Sequence, residues 1–191
     1  MGVSNHEEHI ALFNATRQVE KKAEEAAKGG TQKVEEELDK IIENVRKTTK
    51  PEPALLADIF LQTAARKIWE QGQSLEPVLY LYEKYYPTKN IWEEGTFGSF
   101  DTVIAKIAAE LQGIDRTNVI DSAVAFITRH NSHVPYRVQE LAFFARALND
   151  NGASNEARQM ATLLHASAEN ILNELPLANS YVQEIIAAGK Q

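Results

Sequence analysis

Cysteine is absent from all 191 residues, which excludes disulfide staples and thiolate metal sites and predicts a reducing compartment. Positive charge is also short: 20 basic residues stand against 27 acidic ones, for a net charge of −7. No broad positive field therefore gathers a polyanion, and a histone-like or repressor-like role is disfavoured. No apolar run approaches the roughly 18 residues of a membrane span. The leading MGVSNHEEHIALFNATRQ carries two Glu where a signal peptide wants Lys or Arg. The sequence thus predicts a cytoplasmic protein with no membrane partner. What remains is 43% hydrophobic, enough for one compact domain or one domain with an arm.

The chain reads in two parts. Residues 1–50 hold nine basic and ten acidic side chains and a single aromatic, Phe13. Within them Val34, Leu38, Ile41, Ile42 and Val45 recur at three- and four-residue intervals between charges, the stripe of an amphipathic helix that must find a covering surface. Gly29-Gly30 separates it from an earlier helix bearing Ile10, Leu12, Phe13 and Val19. We read 1–50 as a charged, amphipathic helical arm that is removable without loss of the rest, and its striped face as a contact for another subunit.

KPEP at 50–53 closes the arm, because neither proline continues a helix. Residues 51–191 then read as an all-α core domain. A helix over ALLADIFLQTAARKIWEQ is predicted to stop at Gly72, and a short helix over 78–86 to end at Pro87. An aromatic loop, NIWEEGTF, follows. Further helices are predicted over 97–111, from Asp115 through Ile127, from about Val134 to NDNG at 149–152, and over 154–174 and 178–188. Asn131 or Ser132 is the expected cap of the helix that opens at Val134, with Pro135 in its first turn. Gly152 is expected to take a left-handed conformation at its end. No strand is predicted.

The chemistry of catalysis finds little support. His130 and His133 form an H-x-x-H pair at a helix boundary with no third ligand in view, so no metal is expected. Acidic residues fall in surface runs such as EEH and EEEL, and there is neither a nucleophile elbow nor a phosphate-cradling glycine loop. The expectation is a protein that is not an enzyme and has no cofactor and no small-molecule substrate. Trp69, Tyr80, Tyr82, Tyr85, Tyr86, Trp92, Phe97 and Phe100 crowd one part of the chain. Such a cluster is either core, a partner anchor or a stacking surface. An eighty-residue offset superposes Leu61 on Leu141, Gly72 on Gly152 and Glu76 on Glu156. Both copies read as helix, glycine stop, helix, the grammar of a tetratricopeptide-like hairpin.

Short motifs in order carry a resemblance. LFNATR at 12–17, IWEQGQS at 68–74, GTF at 95–97, GIDR at 113–116, AF at 125–126, NSHVPYRVQE at 131–140 and QMATLL at 159–164 are similar to segments of the coat proteins of flexuous filamentous plant viruses of the potyvirus type. The resemblance implies a subunit of a helical filament that encloses single-stranded RNA, with its arm docked on a neighbouring copy, found in the virion and the host cytoplasm. Of that family's Ser, Arg and Asp that line the RNA groove, only Ser74 has a match. Gly98 and Phe126 stand at the other two positions. Arg116 and Arg137 are then the candidate phosphate partners. The alternative expectation is a cytoplasmic helical-hairpin adaptor or secretion-chaperone-like protein that binds a protein partner.

Overall fold

The computed structural model describes residues 3–45, 47, 52–85 and 98–189. It is all-α, with no strand among the described residues. In chain order the helices are α1 (Val3–Lys28), α2 (Thr31–Val45), α3 (Glu52–Gly72), α4 (Glu76–Tyr85), α5 (Gly98–Glu110), α6 (Gly113–His130), α7 (Val134–Asp150), α8 (Ser154–Leu172) and α9 (Pro176–Ala188). The long N-terminal helix α1 precedes the other helices of the chain. The aromatic loop 90–97, with Trp92 and Phe97, lies outside the described residues, as do Tyr86 and Pro87. Contacts divide the chain into two compact units, Met1–Phe100 and Asp101–Gln191. That division falls well beyond the proline-marked break at residues 50–53.

In the first unit α3 is the hub, packed by α1, α2 and α4. Small side chains explain how α1 comes so close: Ala23, Ala26 and Ala27 are buried on its face, and Ala57, Ala64 and Ala65 are buried on α3. Gly30, at φ +81°, turns the chain from α1 into α2. Its left-handed conformation suits a residue without Cβ. α2 then lays Val34, Leu38 and Ile42 into the same core, 0%, 1% and 5% exposed.

Between α2 and α4 the polar contacts are specific. The Tyr85 hydroxyl donates to Asp39 Oδ1 at 2.8 Å, and Lys84 Nζ pairs with Glu35. Burial pushes the Tyr85 hydroxyl far above the ordinary tyrosine range, and the Asp39 carboxylate beside it adds to the shift. Tyr82 is fully buried and meets Phe100 edge-on at 5.1 Å, so this part of the aromatic cluster is core.

The expected stop at Gly72 is observed, since α3 ends there; the left-handed step falls on the next residue, Gln73, at φ 50°, whose N–H donates to Trp69 O at 2.7 Å.

In the second unit α7 is central, packed by α6, α8 and α9. Phe144, Ala145 and Leu148 of α7 are fully buried, as are Ala157 and Ala161 of α8. Gly152, at φ +93°, closes α7 as expected. α6 opens at Gly113 rather than Asp115. Neither Asn131 nor Ser132 caps α7: the cap position belongs to His133, without a side-chain bond. Asn131, buried, instead donates Nδ2–H to Ile127 O at 2.9 Å and closes α6. Pro135 does sit in the first turn of α7. α8 kinks at Ala168, φ −139°, one residue past Ser167, whose hydroxyl bonds back to Leu163 O at 2.6 Å. A hydroxyl competing for a helix carbonyl is a known source of such bends.

Candidate interaction surfaces

The residues singled out by sequence are divided between the two compact units, Ser74 and the α2 stripe in the first, Arg116 and Arg137 in the second. Val34, Leu38 and Ile42, expected to await another subunit, are covered by the chain's own first unit. Ile41, beside them, is half-buried. Val45 ends α2, and its side chain lies outside the described residues. The periodicity was right about a stripe that needs cover; it carried no information about whose surface provides it.

Of the candidate phosphate partners, Ser74 is exposed in the turn between α3 and α4, in the first unit. Arg116 and Arg137 belong to the second unit and stand in the first turns of α6 and α7. A helix and a short turn separate them along the hairpin, so those two cations do not form one phosphate pocket.

Arg116 has a structural occupation. Its Nε donates to Leu111 O at 2.9 Å and Ala108 O at 3.0 Å, and Nη2 donates to Ala109 O at 3.3 Å. Nη1 meets Glu156 Oε1 at 3.3 Å. The guanidinium therefore caps the carbonyl end of α5, where unpaired acceptors and the helix dipole favour a cation, and ties that end to the first turn of α8. Arg137 is half-buried and its side chain has no ion-pair partner among the described residues. The two histidines go separate ways: His130 lies against the Phe126 ring at 4.4 Å and His133 against Tyr136 at 5.0 Å. Among the described residues no group of three His, Asp or Glu is placed to hold a metal ion, and no helix is long and apolar enough to cross a membrane.

Two of the apolar surfaces that stand in solvent among the described residues bear on function. One is on α1, where Ile10 and Phe13 are 48% and 57% exposed and the Arg17 guanidinium lies 5.0 Å from the Phe13 ring. The other is a groove of about 410 Å³ in the second unit. Ile120 and Val124 of α6, Leu141 of α7, and Met160, Leu163 and Leu164 of α8 form its apolar lining. Thr117, Asp121, Glu156, Gln159 and Ser167 supply its polar margin. Leu163 and Leu164 show why: Leu164 is buried, while Leu163 is 69% exposed. The signal was present on α8. Ala157, Ala161 and Leu164 already make a complete inward stripe, so Met160 and Leu163 widen the apolar face beyond what packing on α7 requires.

No protein-family model, no curated protein and no solved structure matches the chain. The described residues are all-α, packed as two helical units, an architecture compatible with interaction or self-assembly.

Proposed function

We propose that the protein is a non-enzymatic helical interaction protein that docks other polypeptides on its helix faces, most simply a cytoplasmic adaptor built of helical hairpins. The observation that supports this reading is the uncovered groove of the second unit, where a large aliphatic side chain, Leu163, stands in water at the edge of an apolar floor. Exposed apolar surface of this kind costs solubility and is retained where a partner covers it. Size-exclusion chromatography with light scattering, joined to electron microscopy of the purified protein, tests the reading. The expected result is discrete monomers or dimers.

A coat subunit is the second reading, favoured by Phe13, which α1 leaves exposed within the LFNATR segment, and by Ile10, exposed just before it. In that reading a head-to-tail contact between copies propagates without closing and gives a filament. Single-stranded RNA is then a further partner, met by Ser74 and Arg137 rather than by the engaged Arg116. An acidic subunit can still coat RNA, since each copy needs only a few phosphate contacts. Long flexible rods carrying nuclease-protected RNA in the same micrographs would establish this reading and displace the first.

A further inference from the structure

We infer that the groove of the second unit receives an amphipathic helix with positively charged flanks, contributed by another protein; the assignment rests on the adaptor reading above and names its partner. Size comes first. At about 410 Å³ the groove has room for several apolar side chains of a partner, not for a folded domain. It is walled by two helices, α6 and α8, with α7 contributing Leu141. A helix laid in such a trough presents about two or three apolar anchors at i, i+3 or i+4, and i+7. Met160, unbranched and polarizable, lets the floor adapt to their shapes.

Charge decides the kind of helix. The lining includes carboxylates on both walls, Asp121 of α6 and Glu156 of α8, and neither lysine nor arginine. Arg116 already neutralises Glu156. Asp121 is exposed and has no ion-pair partner among the described residues, so it is the charge left for an incoming cation. Complementary rim charges select partners and steer encounter more than they add affinity.

The chain's own α1 meets this requirement poorly. Ile10 and Phe13 offer two anchors, but residues 3–20 bring Glu7, Glu8 and Glu20 against Arg17 alone. A second copy therefore carries negative charge to a negative rim, and a basic helix of another protein fits better.

Fluorescence anisotropy with the full chain tests the assignment, using three labelled peptides of about 18 residues. The first is a designed helix with leucine anchors and lysine flanks, the second its scrambled isomer without an apolar face, and the third residues 3–20 of this protein. The designed helix is expected to bind about tenfold or more tightly than the scramble. Leu163→Asp is expected to weaken it about tenfold, and Asp121→Lys about threefold, the latter chiefly at low salt. Both side chains are exposed, so thermal unfolding of either variant is expected to stay where it is in the parent. Equal binding of the scrambled peptide, or indifference to both substitutions, overturns the proposal. Tightest binding by residues 3–20 also overturns it and assigns the groove to a second copy. If the particle stays discrete while the groove fails these tests, only the groove assignment falls; rods in the micrographs would instead remove the adaptor reading itself.

Discussion

Arg116 Nη1 stands 3.3 Å from Glu156 Oε1, and the same guanidinium holds the last carbonyls of α5 through Nε and Nη2. One side chain thus fastens the end of one helix to the start of another, forty positions apart in sequence. Replacing Arg116 with Ala is expected to cost about 2–3 kcal/mol, because carbonyls at a helix end and a partly buried carboxylate lose a charged partner together. Arg116→Lys should recover only part of this, since an ammonium lacks the fork that reaches several acceptors. Urea titration followed by circular dichroism measures both. A loss under about 0.5 kcal/mol for the alanine variant would show the cap to be idle.

Tyr85 gives a prediction with a pH signature. Burial, seconded by Asp39, raises its hydroxyl well above its ordinary value near 10. A group whose folded-state pKa is raised contributes stability that is fully present below the unfolded value and is lost as pH climbs past it. The thermal midpoint should accordingly hold through neutral pH and fall above about pH 10, where the unfolded tyrosine ionises first. Tyr85→Phe loses the bond to Asp39, a cost of about 1 kcal/mol near pH 7. Its alkaline decline should be shallower than that of the parent. Parallel melting curves across the alkaline range would contradict this account.

Glycine positions separate backbone strain from simple space. A Cβ at Gly152 meets nothing within 4 Å, yet φ there is +93°. Gly152→Ala is therefore expected to destabilise by about 1 kcal/mol through strain alone. Gly72 has equally open surroundings without the positive φ, and it ends α3 inside the helix. Gly72→Ala should be neutral or stabilising by about 0.5–1 kcal/mol, since alanine loses less entropy on folding. Opposite signs from paired denaturant curves are the expected outcome.

The status of the leading helices is testable by removal. Because Val34, Leu38 and Ile42 are buried on the chain itself, deletion of residues 1–50 should expose the core face of α3 and leave an aggregating or partly unfolded protein. The removable-arm reading of the sequence expects the opposite, a folded remainder. Leu38→Ala, a milder probe, should cost about 2–5 kcal/mol, whereas Phe13→Ser on the exposed face of α1 should lie within about 0.5 kcal/mol of the parent. Heteronuclear NMR spectra of the truncated chain, with dispersed or collapsed amide shifts, decide between the two.

Local chemistry alone was enough for the helices. The 3.6-residue recurrence of Val34, Leu38 and Ile42, the proline in the first turn of α7 and the glycine at 152 act over a few residues, so they could be read without any tertiary knowledge. The same is true of Tyr82 and Phe100, whose size and apolar character placed them among core candidates. Which faces meet is a different kind of fact. The α2 stripe needed cover, and only the packing of α3 and α4 decided that its own chain provides it. Arg116 was legible as a cation in a first turn, but its partners are carbonyls at the end of another helix, and no spacing rule links them. The groove depends on Leu163 and Leu164, neighbours in sequence with opposite fates, because a 100° step around α8 turns one into the core and the other to water. Period and propensity are properties of a segment and so are written in it; cover, capping across helices and the shape of an open surface are relations between distant segments, and those exist only once the chain has folded.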